Sequence, residues 1–305
     1  MAKVRQYNAM IDQYEYIQVP DTDNKPPNDW VIDALKDSAI DPTINIEKPP
    51  TLFSIMDVQA MQFVERRVFT LGNFSAIIGR AKSKKTYLMS AISAAIISQR
   101  TLWKKFKGHA SDKNMVLYFD TEQGDYDAWN VVRRICTLAG GVNAEKFKAW
   151  NLRRFKPVER CQIIEFALNM YKDQISFIVI DGIADLANAI NDEDEATRVV
   201  GLLLRWTKDY NCHIATIIHQ NKNDNYATGH LGSSIMKKCE IIISVEKDTK
   251  DYSKSYVKCD MSRAMDFKDF ELHIDFNGLP VIDDVTEDYD NEIFDFEKVN
   301  DIVPF

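Results

Sequence analysis

The sequence predicts an α/β fold in which a mainly parallel central sheet is flanked on both faces by helices. Short apolar runs typical of buried strands alternate with helical patterns between residues 74 and 245, the order that builds a parallel sheet. After about Cys239 the pattern changes to strand after strand, which indicates an antiparallel C-terminal meander. With 305 residues and 45% apolar content the chain can bury one large core, so we expect one main domain over residues 51–280.

Residues 1–50 are expected to form an N-terminal arm. This stretch is polar and contains six prolines, at Pro20, Pro26, Pro27, Pro42, Pro49 and Pro50. Such punctuation leaves room for one short helix, near Trp30 to Lys36. Directly after the arm, the apolar spacing from Ser54 to Glu65 predicts a further helix.

The elements of the main domain follow in alternation. The strand Phe74–Ile78 ends at Gly79, and the apolar, uninterrupted segment 85–99 predicts a buried helix immediately afterwards. Further strands are predicted at Met115–Asp120, Ile175–Asp181, His213–Ile218 and Glu240–Val245, and helices at Asp125–Ala139, Glu159–Tyr171 and Glu195–Asp209. The closing meander is predicted at Tyr256–Asp260 and Phe270–Phe276, followed by the turn Asn277-Gly278.

Cysteine usage and hydropathy indicate a cytoplasmic protein. The five cysteines have no two-residue spacing, which favours free thiols over a disulfide framework or a zinc site. The N-terminus lacks an apolar signal core, and no run approaches the roughly 18 apolar residues of a membrane span.

The segment Gly79-Arg80-Ala81-Lys82-Ser83-Lys84-Lys85-Thr86 is predicted to bind the phosphates of ATP. Triphosphate binding uses backbone N–H groups at a helix N-terminus, a lysine ammonium on the outer phosphates and a hydroxyl on Mg²⁺. Gly79, Lys85 and Thr86 supply these groups at the required spacing, between a strand and a helix. Lys84 stands where the pattern has its second glycine. The alternative is a basic helix start that binds no ligand.

Two other strand ends carry carboxylates suited to this site. Asp181 ends the strand Phe177-Ile178-Val179-Ile180-Asp181 and is expected to hold Mg²⁺ together with Thr86. Glu122, just after the strand that ends at Asp120, is our candidate for the residue that activates the attacking water, with Asp120 as second choice. Alternatively, these carboxylates only cap their strands. Asp185 is expected to be a cap or surface residue.

A fourth strand leads into His219-Gln220-Asn221-Lys222, where a sensor of the outer phosphate is expected; an ordinary loop histidine is the alternative. The next segment, Gly229-His230-Leu231-Gly232-Ser233-Ser234, is rich in turn-forming residues. It is expected to be a loop that either moves with the nucleotide state and contacts nucleic acid or only connects elements.

This order of motifs resembles the RecA-like P-loop ATPases, particularly the RepA-type hexameric helicases and the KaiC-like branch of plasmids and other mobile elements. The resemblance covers about residues 50–280 and includes the closing meander. It implies a ring or filament in which ATP lies between subunits and a basic residue of the neighbour completes the site. Arg263 is the candidate for this arginine finger, with Lys238 and Lys237 behind it; alternatively Arg263 is a plain surface residue.

The C-terminal segment 281–305 is strongly acidic and is expected to be disordered. It contains nine acidic residues and one lysine, so it accounts for the whole net charge of −8. Its end, Asp301-Ile302-Val303-Pro304-Phe305, resembles the acidic Pro-Phe tip with which bacterial single-stranded-DNA-binding proteins recruit repair and replication partners. A tail that only improves solubility is the alternative.

Two functions follow from these features. The first is an ATP-driven DNA helicase or translocase in replication or mobilisation of a plasmid, phage or mobile element, acting as a homo-oligomer on single-stranded DNA. The second is a nucleotide-gated regulatory or loading ATPase that binds partners without unwinding DNA. A small-molecule kinase is less favoured because the sequence has no arginine-rich lid and ends in a meander.

Overall fold

The computed structural model describes residues 2–8, 13–19, 29–141, 145–220 and 227–283. The chain divides into two compact units, residues 1–48 and 49–305. Asn221, Lys222 and almost the whole acidic tail, from residue 284 onward, lie outside the described residues, so the expectations for them stay predictions.

In the described residues of the first unit, two strands pair with each other and one helix follows. Strands β1 (Ala2–Asn8) and β2 (Gln13–Val19) pair antiparallel, and helix α1 spans Asp29–Asp37. The helix confirms the prediction near Trp30. The sequence analysis predicted no strands in this stretch, and in this respect it is wrong. The two strands were missed because residues 9–12, between them, contain no glycine, proline or asparagine that would signal a turn.

The described part of the second unit is built on a nine-stranded sheet. Its strands are β5 (Phe74–Gly79), β8 (Met115–Asp120), β9 (Phe147–Asn151), β10 (Ile175–Asp181), β11 (His213–His219), β12 (Ile241–Lys247), β13 (Lys254–Ser262), β14 (Phe270–Ile274) and β15 (Pro280–Asp283). Their order is β15-β14-β13-β12-β5-β11-β10-β8-β9. The six strands from β12 to β9 in this order are parallel, and β12 to β15 pair antiparallel. The predicted parallel-rich sheet is therefore confirmed, with an antiparallel meander at one end.

Helices cover both faces of this sheet. They are α2 (Lys85–Ser98), α3 (Asp125–Leu138), α4 (Pro157–Tyr171), α5 (Glu193–Asp209) and α6 (Gly229–Lys238), with a 3-10 helix at Ile183–Leu186. Alternate residues of β10 enter two separate apolar clusters: Phe177 and Val179 join α2 and α3, whereas Ile178 and Ile180 join α4, α5 and α6. This two-sided burial explains why the central strands are continuous apolar runs.

The helix predicted at Ser54–Glu65 is wrong. The segment forms strands β3 (Thr51–Gln59) and β4 (Gln62–Thr70), an antiparallel hairpin in a second, four-stranded sheet with β6 (Thr101–Leu102) and β7 (Phe106–Gly108). Residues 52–55 are buried on both faces of β3, which removes the alternating pattern that identifies a strand. The hairpin turn, Ala60-Met61, contains no glycine or asparagine.

The loop predicted at residues 229–234 is also wrong, because it is the start of α6. Gly232 is not a turn residue here. A Cβ at that position would lie 2.5 Å from the carbonyl carbon of Ala227, so glycine permits a close backbone approach. Leu231 and Ile235, four residues apart, are buried on one face of the helix.

Among the described residues, none of the helices has the length and apolar character to span a membrane. The five cysteines are free thiols.

Candidate nucleotide-binding site

The candidate site lies at the carboxyl-terminal ends of four parallel strands, β5, β8, β10 and β11. In the pairing register, His219 at the end of β11 stands beside Gly79 at the end of β5. Asp181 at the end of β10 stands beside Asp120 at the end of β8. The carboxyl ends of parallel strands form the usual crevice for ligands in α/β sheets, so the topology gathers the predicted residues in one place.

The phosphate loop makes a tight path from β5 to α2. A Cβ on Gly79 would lie 2.4 Å from the carbonyl oxygen of Val245, so no larger residue fits there. Lys82 and Lys84 both take left-handed backbone conformations, with φ of 62° and 71°. For residues other than glycine, this conformation costs on the order of 1 kcal/mol or more each.

The N-terminus of α2 is suited to an anion. Its N-cap, Lys84, makes no side-chain cap hydrogen bond, and its first turn carries no acidic residue. The free backbone N–H groups of a helix start, with the positive end of the helix dipole, attract phosphate. This feature fits the predicted triphosphate.

Lys85 points back over the phosphate loop. Its side chain is almost buried, and Nζ donates to the carbonyl oxygens of Gly79 at 2.8 Å and Arg80 at 2.9 Å. Burial lowers the pKa of Lys85 to about 8, against the opposing effect of the Asp181 and Glu122 carboxylates. The ammonium is therefore held charged at neutral pH within the loop.

Thr86 and Asp181 form the candidate metal pair. The Thr86 hydroxyl donates to Asp181 Oδ2 at 3.0 Å, and the hydroxyl of Tyr118 donates to the same oxygen at 2.8 Å. Burial, with the nearby Asp120 carboxylate, raises the pKa of Asp181 to about 6. A hydroxyl and a carboxylate in contact are the oxygen donors that Mg²⁺ takes in nucleotide sites, so these two residues fit the ion.

The two carboxylates after β8 have different surroundings. Asp120 Oδ1 accepts the backbone N–H groups of Glu122 at 3.0 Å and Gln123 at 2.8 Å, so Asp120 caps the strand end. The Glu122 side chain is 39% exposed, with Oε2 3.5 Å from Nε2 of His219. The hydrogen bond with His219 lowers the pKa of Glu122, although burial opposes it. Glu122 is thus the accessible carboxylate of the two, whereas Asp120 is buried.

His219 lies between Glu122 and the phosphate loop. Its Nδ1 is 3.3 Å from Lys85 Nζ, while its other nitrogen faces Glu122. The backbone N–H of the next residue, Gln220, donates to the Gly79 carbonyl at 3.1 Å, and Gln220 also forms a β-bridge with Ala227. A movement of Lys85 can therefore be transmitted to Glu122 through the imidazole of His219.

Asp185 accepts a hydrogen bond from Thr121 Oγ1 at 2.9 Å and lies 3.7 Å from Arg160 Nη1, with its side chain partly exposed. This matches the expected surface role. It holds the segment after β10 against the segment after β8.

Arg263 does not lie with these residues. It follows the end of β13, where Ser262 pairs with Ile241 at the start of β12. The phosphate loop instead follows the carboxyl-terminal end of β5, which runs parallel to β12, so Arg263 lies at the opposite end of the strands. Its Nη2 donates to the carbonyl of Lys238 at the C-terminus of α6, next to Lys237.

Two residues of the site were missed by the sequence analysis. Tyr118 is fully buried in β8 and supplies a hydroxyl to Asp181. Gly182 follows Asp181 with φ of +100°, and a Cβ there would lie 2.7 Å from Cγ of Glu122. A tyrosine inside a buried strand needs a partner for its hydroxyl, which was a usable signal. Nothing in the sequence indicates the Gly182 contact.

The model of the family described as AAA domain matches residues 62–225. The match covers more than half of the chain and includes the phosphate loop, Glu122, Asp181 and His219. It ends before the antiparallel meander. No curated protein matches the chain.

Proposed function

This chain belongs to the AAA domain family and is an ATPase of the P-loop type, and we propose that it is a RecA-like motor that hydrolyses ATP to act on DNA. The main support for an ATPase site is that Lys85, the Thr86–Asp181 pair and Glu122 lie together at the carboxyl-terminal ends of the parallel strands. A loop that only binds nucleotide would need Lys85 but not Glu122. A carboxylate accessible to water beside the loop supports hydrolysis as well as binding.

Each residue has a separate task in this proposal. The N-terminus of α2 binds the phosphates, and Lys85 neutralises the outer ones. Mg²⁺, held by Thr86 and Asp181, would offset the charge on the phosphate oxygens. Glu122 orients the attacking water and accepts its proton. His219, in contact with both Lys85 and Glu122, links phosphate occupancy to the position of that carboxylate.

The RecA-like assignment is supported by the order of the elements. The phosphate loop, Glu122, Asp181 and His219-Gln220 follow one another at the ends of β5, β8, β10 and β11, and an antiparallel meander closes the sheet. From the resemblance, we propose a helicase or translocase of the RepA-type or KaiC-like branch, serving replication or mobilisation of a plasmid, phage or mobile element. The acidic Pro-Phe tail would recruit a replication or repair partner. The alternative remains a nucleotide-gated regulatory or loading ATPase.

DNA dependence separates the two functions. For a motor, single-stranded DNA accelerates phosphate release by the purified protein, and a forked duplex opens only with ATP. Duplex opening that is absent despite DNA-stimulated hydrolysis would favour the loading ATPase. Hydrolysis unaffected by DNA of any form, with no DNA binding, would contradict both DNA roles and leave the ATPase assignment intact.

The proposed ring or filament makes Arg263 a finger for the neighbouring subunit. Arg263 is exposed and lies at the end of the strands opposite to its own phosphate loop, which agrees with a role in the ATP site of a neighbouring subunit. Mixing Arg263→Ala with Lys85→Ala subunits should recover part of the activity that each lacks, because each supplies the group missing from the other. Full activity of Arg263→Ala alone would refute the finger, and native mass with and without ATP would give the oligomer size.

A further inference from the structure

Lys84, which replaces the second glycine of the phosphate-loop pattern, is attached to another part of the fold. Its Nζ donates to the carbonyl oxygens of Tyr252 at 2.9 Å and Lys254 at 3.1 Å, and to the hydroxyl of Ser255 at 3.2 Å. Tyr252 lies in the connection between β12 and β13, and Lys254 and Ser255 are the first two residues of β13. An ammonium has three N–H donors, and the three acceptors match that number.

A second contact runs in parallel with the first. The hydroxyl of Ser255, which accepts from Lys84, donates to the backbone carbonyl of Ser83 at 3.1 Å. Ser83 is buried in the phosphate loop, and Ser255 is buried at the start of β13. The loop is therefore joined to the start of β13 through the backbone of Ser83 and the side chain of Lys84, and to the β12–β13 connection through Lys84 alone.

The anchor for Lys84 is a turn that organises itself. In the 248–253 turn, Asp248 Oδ1 accepts the N–H groups of Lys250 at 2.6 Å and Asp251 at 2.9 Å, and its Oδ2 accepts from the Tyr256 hydroxyl at 2.8 Å. Asp251 in turn accepts the N–H and hydroxyl of Ser253. Local bonds of this kind fix a turn in one conformation, so the Tyr252 carbonyl is held in place independently of Lys84. Lys254 and Ser255 are held by the pairing of β13 with its neighbouring strands.

The backbone of Lys84 gives a reason for the attachment. The residue sits in the left-handed region, which glycine adopts without strain and lysine does not. The three bonds from Nζ offset this strain and make the loop conformation depend on the turn. Burial and the charge of Lys247 lower the pKa of Lys84, and Asp251 opposes this effect.

We propose that Lys84 is a positioning residue that ties the phosphate loop to the 248–253 turn and to the start of β13 that follows it, so that nucleotide binding and the conformation of this turn are coupled. The proposal rests on the ATP site proposed above and names a regulating element for it. Lys84 then contributes no direct charge to the phosphates, unlike Lys85. A partner that displaces the turn would weaken nucleotide binding.

Nucleotide affinity of purified variants tests this assignment. Lys84→Met keeps the side-chain length but removes the donors, and we expect it to bind ATP and ADP about tenfold more weakly, the loss expected for a charge-assisted contact. Lys84→Arg retains donors and should recover most of the affinity. Lys250→Met removes an exposed charge from the same turn and serves as the matched control. A loss confined to ATP would mean that Lys84 contacts the outer phosphate, and would overturn the proposal.

Coupling is measured with a second variant. Ser255→Ala should weaken binding of both nucleotides, and its effect should not add to that of Lys84→Met in the double variant, because both act on one attachment. Fully additive losses, or wild-type affinity in Lys84→Met, would overturn the tether.

Cleavage by trypsin tests the tether without any measurement of ATP hydrolysis. Lys250 and Lys254 flank the turn tip, and cleavage there should be faster in Lys84→Met than in the wild type even before nucleotide is added; equal rates would overturn the tether. In the wild type, ATP should slow this cleavage. If the wild type binds no nucleotide, the proposed function fails, while the cleavage rates without nucleotide still decide the tether.

Discussion

At the scale of single residues, Glu122 depends on the small residue facing it. Gly182 leaves the space that Cγ of Glu122 occupies, since a Cβ there would approach it to 2.7 Å. The neighbouring Thr121 Oγ1 would be even closer, at 2.3 Å. The position of the catalytic candidate is therefore set by the absence of a side chain on the adjacent strand end.

Gly182→Ala should separate hydrolysis from binding. The added methyl group would meet both Thr121 Oγ1 and Cγ of Glu122 and so displace the segment that carries Glu122. We therefore expect phosphate release to slow about tenfold or more, while Lys85 and the N-terminus of α2 still bind ATP. Gly201→Ala is the matched control, because Gly201 lies within α5 and its Cβ would meet no atom within 4 Å. Wild-type hydrolysis in Gly182→Ala would show that this contact does not position Glu122.

The sequence predicted the residues of the site whose spacing follows from strand order. Gly79, Lys85, Thr86, Asp181 and Glu122 each stand at or just after an apolar run, and parallel strands bring such positions together. Tyr118 and Gly182 act through contacts across neighbouring strands, which no local spacing reveals. The attachment of Lys84 was equally hidden, because its acceptors lie about 170 residues further along the chain.

At the scale of elements, the β3–β4 hairpin is formed by a turn that its sequence does not favour. Ala60 and Met61 have φ of 50° and 62°, the positive values that a two-residue turn of the hairpin type requires at both positions. Neither residue adopts this conformation readily. The Met61 side chain is fully exposed, so packing does not compensate.

Replacing Ala60-Met61 by Asn-Gly should therefore stabilise the protein. Both new residues tolerate positive φ, and we expect the free energy of unfolding to rise by about 1 kcal/mol. Urea unfolding of the two proteins measures this difference. An unchanged or lower free energy would show that the turn is not the strained part of this hairpin.

The elements that were predicted correctly are those with one clear period or one unbroken apolar run. The helix α5 has an apolar stripe, and β10 is buried throughout, with an unbroken apolar run from Phe177 to Ile180. The predictions for the β3–β4 hairpin and for α6 were wrong for different reasons. Strand β3 is buried on both faces near residues 52–55, and α6 contains glycines that permit close packing. Burial by distant segments decides such cases, and the local sequence does not carry that information.

At the scale of the whole molecule, His213 joins the second sheet to the central one. Its Nδ1 donates to the carbonyl of Thr70 at 2.8 Å, at the end of β4, so its Nε2 accepts from the hydroxyl of Ser75 in β5 at 2.9 Å. Phe69 stacks on the ring with centroids 4.3 Å apart. Glu240 approaches to 3.8 Å, but the neutral imidazole makes no ion pair with it.

This histidine makes the fold sensitive to acid. Burial lowers the pKa of His213 to about 3, whereas an unfolded histidine titrates near pH 6.5. Below about pH 6.5 the unfolded chain takes up a proton that the folded chain excludes, so stability falls as the pH drops towards 3. We expect His213 to account for about 2 kcal/mol of lost stability between pH 7 and pH 5.

The variant His213→Gln should show a correspondingly smaller difference between these two pH values. His230→Gln, at an exposed position of α6, is the control and should behave as the wild type. Urea unfolding at pH 7 and pH 5 measures the three proteins. An unchanged pH dependence in His213→Gln would contradict the assigned neutral, buried state.

We propose that this molecule hydrolyses ATP with Glu122 acting on the attacking water, and the variant Glu122→Gln removes that function alone. The amide keeps the size of the side chain but cannot accept the proton at neutral pH. We predict that the variant binds ATP as tightly as the wild type and releases phosphate about 100-fold more slowly. Phosphate release at the wild-type rate by Glu122→Gln, with ATP bound equally well, would show that Glu122 does not act on the attacking water.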